Sequence, residues 1–351
     1  MESWLPTRWR TVAERIIRLG IIGTGLAARD LHWPALAALR DEFEVVALCN
    51  RSEGKARSLA ETIGSAYGRK IPYVLDVESL LALPQVEAVA IVLPIEQNRE
   101  VCEAAVRARK HILVEKPLAE SLENAEALVE LARGASPLVM MVAENFRYRP
   151  IFRALAETLR SGEIGEPYFV EWRHWDRIDP ETNPYARTAW RIDHRYEGGF
   201  VTDGGVHDVA ALRDVFGDLE TLGAASRSVN PAIGRTDTLA WLFHSSGRDG
   251  IPPLDGVFSI GFSVIGMTDS RLVVLGSRGT VLVEGGRLEV QGEAPDDEKK
   301  VYRFPDDGGY VEEYRDFHRA ITTGAAPRSS FAEACSDLAA ILAALKTASR
   351  R

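Results

Sequence analysis

The sequence predicts an α/β protein in two parts: a doubly wound parallel sheet with helices on both faces, then a second α/β region built on a mostly antiparallel sheet. Three observations carry this. Up to residue 143, short apolar runs alternate with helical segments, and the runs are apolar at successive positions, as strands buried on both faces are. Beyond residue 143, β-type alternation and turn signals take over. The length of 351 residues suits two domains.

The first run, 19–22, ends in glycines. Residues 28–40 then read as helix, with Leu31, Ala35, Leu36 and Leu39 at helical spacing. Strand 45–49, helix 52–63, strand 86–93, helix 96–109, strand 111–114, helix 122–132 and strand 138–142 follow. After helix 151–161, strand-like stretches lie at 168–174, 239–243, 257–264, 272–275, 281–283 and 288–290. Gly285-Gly286 is a hairpin turn signal between the last two. Helices 311–322 and 331–348 close the chain. Residues 1–18, with Trp4, Trp9 and several arginines, read as an N-terminal extension, 19–143 as the first domain and 144–351 as the second.

A net charge of −9 argues against an electrostatic nucleic-acid binder. No apolar run approaches the roughly 18 residues of a membrane helix. Cys49, Cys102 and Cys335 form no C-x-x-C pair, so the expectation is free thiols in a reducing cytoplasm. No Cys/His cluster has zinc-ligand spacing, and no metal is expected.

The segment Gly23-Thr24-Gly25-Leu26-Ala27-Ala28 fits G-x-G-x-x-A between a strand and a helix. Gly23 permits the tight turn, Gly25 lets the backbone approach a pyrophosphate, and Ala28 lets the helix pack on the strand. The helix start offers N–H groups to phosphate. This is the dinucleotide turn of a Rossmann domain. NAD-selective members place a carboxylate about 20 residues on. Here the chain reads Asn50-Arg51-Ser52, which does not repel a 2′-phosphate and offers Arg51 to pair with it. The reading is NADP in preference to NAD.

At Glu115-Lys116-Pro117 the sequence resembles the Gfo/Idh/MocA oxidoreductases. "HILVEKPLAES" is similar to their E-K-P signature, and "AENFRYRP", "SGEIGEPYFVEWR" and "GGFVTDGGVHDVAALR" extend the likeness over nearly the whole chain. The resemblance implies a Rossmann domain followed by an α/β domain with a large, open, mostly antiparallel sheet. It implies NAD(P)-dependent hydride transfer on sugars, polyols or related cyclic alcohols, and dimers or tetramers formed through that sheet. Lys116 would reach both the substrate oxygen and the nicotinamide ribose, its pKa lowered by burial and the cationic ring. Pro117 would fix a turn that is often cis in relatives.

Asp203 and His207 form a D-x-x-x-H element, on one face if helical. His207 or Lys116 is the expected main acid–base, the two handling the hydroxyl proton between them, with Asp203 orienting the imidazole or accepting a substrate hydroxyl. Leu93, Pro94, Asn98, Glu115 and Asn145 join the expected cofactor contacts. The chain departs from the common pattern at Asn98, where relatives often carry His, and at Ala210, where they often carry Asp; the neighbouring Asp208 is read as structural. Tyr148, Trp175 and Arg191 join Lys116, Asp203 and His207 as expected substrate contacts, within a Trp-, Arg- and His-rich stretch that includes His194. Two rival readings use the same fold: a dinucleotide-binding regulator without turnover, and an enzyme that redox-cycles a tightly bound cofactor.

Overall fold

The computed structural model describes residues 15–193, 195–294, 299–305 and 308–349. Most of the N-terminal extension (residues 1–14) and His194 lie outside the described residues.

The first sheet is built from β1 (Ile17–Ile22), β2 (Phe43–Cys49), β3 (Tyr73–Val74), β4 (Ala88–Ile91), β5 (His111–Glu115) and β6 (Met140–Ala143). They run parallel in the order β3-β2-β1-β4-β5-β6. This is the doubly wound order, whose direction reverses between β1 and β4 and opens a crevice at the strands' carboxyl ends. The connecting helices are α1 (Trp33–Ala38), α2 (Glu53–Tyr67), α3 (Val77–Leu81), α4 (Asn98–Arg107) and α5 (Leu122–Gly134). β1 begins two residues before the apolar run suggests. The predicted helix 28–40 is not one α-helix: a π-helical turn, Ala28–His32, precedes α1. Pro34 has no N–H to give the carbonyl of residue 30, so the α pattern cannot run through it.

The second region holds α6 (Pro150–Arg160), β7 (Pro167–Trp175), α7 (Ala189–Asp193), α8 (Gly199–Phe216) and a run of strands: β8 (Leu219–Arg227), β9 (Thr238–Ser245), β10 (Leu254–Gly261), β11 (Asp269–Gly276), β12 (Gly279–Glu284), β13 (Arg287–Gln291) and β14 (Lys300–Arg303). With β7 they form one sheet, β14-β13-β12-β11-β7-β10-β9-β8, antiparallel except where β7 lies parallel to β10. Gly285 and Gly286 both take positive φ in the β12–β13 hairpin, as a two-residue turn of the primed type requires. Along each strand one parity is buried: Val170 and Trp172, Trp241 and Phe243, Phe258 and Ile260. The other parity carries exposed Leu242; exposed Tyr168 sits at an irregularity in the β7–β11 pairing.

Two last helices, α9 (Tyr310–Thr323) and α10 (Phe331–Ala348), return to the first half. Tyr314 and Phe317 pack on Phe43 of β2 with ring centroids 5.5 and 6.3 Å away. Between the helices, the Ser329 carbonyl accepts a hydrogen bond from the Val142 N–H of β6 at 2.9 Å.

Candidate active site

The carboxyl ends of the first sheet open on a cleft of about 1440 Å³ that reaches across to the second region. Pockets for small ligands typically measure about 300–1,000 Å³, so this cleft has room for a large ligand beside a small one.

At one end lie Gly23, Gly25, Leu26, Ala27, Asn50 and Arg51. Gly23 has φ +95°, and a Cβ there would sit 2.0 Å from the Val92 carbonyl oxygen; only glycine fits. A Cβ on Gly25 would meet nothing within 4 Å, so that backbone faces open cleft. Thr24 and Ser52 do not line the cleft as expected. Thr24 is buried and its hydroxyl accepts a hydrogen bond from the Asn50 amide at 2.8 Å, while the Asn50 carbonyl accepts from the Ser52 N–H at 2.9 Å. Asn50 therefore spends both ends of its amide on shaping this corner, and Arg51 stands exposed on the rim with Lys55 nearby. Asp76 and Glu78 also reach this rim. Asp76 accepts from the N–H and hydroxyl of Ser79 as the cap of α3. Gly23→Ala should weaken dinucleotide binding at least ~100-fold, because a clash with backbone and a left-handed φ together cost a few kcal/mol. Energy transfer from tryptophan to NADPH would measure this, and wild-type affinity in the variant would refute the steric account.

Leu93 and Pro94, at the end of β4, line the middle of the cleft. Asn98 does not. It is fully buried, and its amide donates to the carbonyls of Glu115, Pro117 and Leu118 at 3.1–3.3 Å. It holds the E-K-P turn in place, and the Lys116–Pro117 bond within that turn is cis. Glu115 accepts from the Lys116 N–H at 3.0 Å and meets His32 Nε2 at 2.8 Å; His32 Nδ1 in turn meets the Tyr314 hydroxyl at 2.8 Å. Burial opposes charge on Glu115, but His32 and the nearby cations outweigh it and hold the carboxyl below its usual range.

At the far end α8 crosses the cleft. Its residue Gly204 must be small, since a Cβ would come within 2.4 Å of the Phe262 ring. The helix presents Asp203 and His207, one turn apart, to the cleft. Lys116 Nζ donates to the Asp203 carbonyl at 2.7 Å and to Asp203 Oδ1 at 3.0 Å, and Arg191 Nε donates to Asp203 Oδ2 at 2.5 Å. Burial raises the cost of charge on Asp203, yet Lys116 and Arg191 more than offset it, so the carboxyl lies below the usual range. Asp203 does not orient His207. That partner is Glu144, at the end of β6: Glu144 Oε1 lies 2.6 Å from His207 Nδ1. The imidazole also stacks on Phe146 at 4.8 Å.

Two expected substrate contacts lie elsewhere. Trp175 points to the other face of the sheet, where its indole N–H donates to Ser259; the adjacent His174 lines the cleft and pairs with buried Asp208 at 2.9 Å, and Asp208 raises the imidazole pKa. Tyr148 is buried beneath α9, donating to Asp316 at 2.8 Å. Asn145 does reach the cleft, donating to the Gly308 carbonyl at 2.5 Å. Sequence reasoning gave no role to His32, His174, Glu144 or Tyr310. It also passed over Glu313, fully buried with neither carboxyl oxygen hydrogen-bonded among the described residues and its pKa raised well above the usual range by burial and by Glu115 and Glu144.

This architecture has known counterparts. Residues 17–143 match the oxidoreductase family model with an NAD-binding Rossmann fold, and residues 152–282 match the GFO/IDH/MocA C-terminal domain. The chain belongs to the Gfo/Idh/MocA oxidoreductases. A solved oxidoreductase structure from Thermotoga maritima is 33% identical to this Gfo/Idh/MocA protein, with a TM-score of 0.86 over 95% of this chain and 97% of that one. An uncharacterised Saccharomyces cerevisiae protein is 31% identical over 320 residues, 87% of this chain and 88% of its own length. A D-apiose dehydrogenase of Paraburkholderia graminis is 32% identical over 230 residues, 65% of this chain and 57% of its own. This Gfo/Idh/MocA member is an NAD(P)-dependent dehydrogenase or reductase. The glycine turn fits that cofactor: Gly23 admits no side chain, and Gly25 leaves its backbone open to the cleft.

Proposed function

We propose that this enzyme interconverts a secondary alcohol and a ketone on a sugar, polyol or related cyclic alcohol, with NADP preferred to NAD. The observation that carries the reading is that Lys116, bonded to Asp203, and His207 line the same end of the cleft, across from the glycine turn. Held at Gly23 and Gly25, a nicotinamide dinucleotide would supply or accept the hydride. Lys116, held by Asp203, donates a hydrogen bond to the reacting oxygen and favours the charge that builds there. His207 takes up or returns the hydroxyl proton. Arg191 keeps Asp203 ionised and positioned. The name of the D-apiose dehydrogenase relative supports a small carbohydrate substrate.

Preference for NADP rests on Arg51 and Lys55 at the adenosine rim and on the absence of a carboxylate at Asn50. Copies associate in this reading through the outer sheet face, where Leu242 is exposed. The test is titration with NADPH and NADH, followed by a panel of aldoses, polyols and inositols with the preferred oxidised cofactor. We expect tighter NADPH binding, weakened about tenfold or more in Arg51→Ala, since a charge-assisted hydrogen bond contributes about 1.5–3 kcal/mol, and reduced cofactor with at least one panel member. Stronger NADH binding would overturn the NADP assignment. Saturable binding with no turnover across the panel would overturn the catalytic reading.

A further inference from the structure

We infer that Glu144 is the positioning residue for His207: it holds the proton on Nδ1, so that Nε2 faces the substrate as a free acceptor. The inference rests on the acid–base reading of His207 given above.

The imidazole is constrained on two sides. Glu144, only 2% exposed at its side chain, places Oε1 2.6 Å from Nδ1. Phe146, two residues along the chain from Glu144, stacks against the ring at an interplanar angle of 22°. The Phe146 N–H donates to the same Glu144 oxygen at 3.3 Å, tying carboxylate and stacking ring to one short turn after β6. The remaining edge is the one at the cleft.

A carboxylate offers only lone pairs. Against it Nδ1 must donate, and the neutral ring then carries its acceptor on Nε2. In alcohol oxidation the substrate O–H bond breaks as an Nε2–H bond forms. The imidazolium so produced stands beside Glu144, which opposes its charge without taking the proton. In ketone reduction the same proton returns to oxygen. Asp203, the helix neighbour of His207, is unavailable for this role, since both its oxygens are bonded to Lys116 and Arg191. The other groups facing this corner are Lys116, Glu115 at the end of β5 and buried Glu313 on α9.

The test uses the full chain with 15N-labelled histidine. In the wild type, the His207 ring nitrogens should report an Nδ1-protonated neutral tautomer. In Glu144→Gln, whose amide can donate to Nδ1, the Nε2-protonated form should replace it. The kcat for the best panel substrate should fall about 10³-fold or more, with KM and NADPH affinity within about twofold, because a wrong-tautomer histidine is a poor base while binding surfaces are kept. Glu144→Asp should restore part of kcat. A wild-type His207 protonated on Nε2, or a Glu144→Gln variant with unchanged tautomer and kcat, overturns the inference. If Glu144→Gln does not fold, the wild-type tautomer decides alone. His207→Gln separates the two readings. If it keeps full kcat, the acid–base reading itself falls. If it loses kcat while Glu144→Gln keeps it, only the role of Glu144 falls.

Discussion

Asp337→Ala should destabilise the protein by about 3–5 kcal/mol, the usual cost of breaking a buried ion pair by removing one partner. Asp337 on α10 is fully buried and serves two guanidiniums. Arg147, itself with no exposed side-chain surface, donates from Nη2 to both carboxyl oxygens at 2.6 and 2.7 Å, and Arg213 of α8 donates to Oδ1 at 2.5 Å. The three residues join the turn after β6, the cleft helix and the last helix. Without the carboxylate, two cations remain in the interior with, among the described residues, only Asp214, Asp218 and Glu333 at the margins. A Tm lower by about 4–7 °C is expected in calorimetry, from an unfolding entropy of about 2.1 cal/mol/K per residue over the 351 residues. Replacing all three residues with apolar ones of similar volume should cost far less, because the desolvation penalty disappears with the charges. A single Asp337→Ala variant that melts with the wild type would show that the network contributes little.

Lys116→Met should lower kcat by about 10²–10⁴-fold, the range for loss of a positioned proton-transfer or polarising group. Methionine keeps the length and apolar stem of the side chain but removes the ammonium held by Asp203. Arg191 still neutralises Asp203, so the site keeps its charge balance and fold. Dinucleotide affinity should change only a few-fold, since the glycine turn lies at the other end of the cleft. Lys116→Arg should not rescue activity, because a planar fork cannot reproduce the point donor of an ammonium. Steady-state kinetics with the panel substrate would check both variants. A kcat within threefold of wild type in Lys116→Met would remove Lys116 from the chemistry.

Much of this arrangement can be read in the chain itself. Continuous apolar runs mark β1, β2, β4 and β5 because strands covered on both faces have no polar side to show. Gly23 reveals itself because a φ of +95° beside a carbonyl oxygen excludes every other residue. The four-residue spacing of Asp203 and His207 puts both on one face of α8, and both line the cleft. It does not say what each one bonds. Residues one helical turn apart point the same way without meeting, and their partners arrive from the ends of β5 and β6, 87 and 63 residues away, and from α7, 12 residues away.

Other misses have similar causes. Trp175 and His174 differ by one position, and in a strand one position is the difference between two faces. Only the pairing of β7 with β10 and β11 settles which parity looks at the cleft. The start of α8 is hidden by Gly198, Gly199, Gly204 and Gly205, poor helix formers by themselves, and Phe262 leaves room for nothing larger at Gly204. β3 and β14 are short, and β8 alternates too weakly to announce itself. Asn98 occupies a position where an ionisable residue is common in relatives, but buried among three carbonyls it acts as a donor to the turn.

The return of α9 onto β2 also bears on how the protein is made. Phe43, Leu39 and Ile17 belong to a core that is completed by Tyr314, Phe317 and Ala320. A ribosome delivers these two sets far apart in time. At roughly 5–20 residues per second, the interval between the end of β6 and the emergence of Phe317 is on the order of 10–35 s. For that interval the newborn first half lacks the segment that covers this aromatic and aliphatic face, and its core closes only when the chain's own last segment arrives.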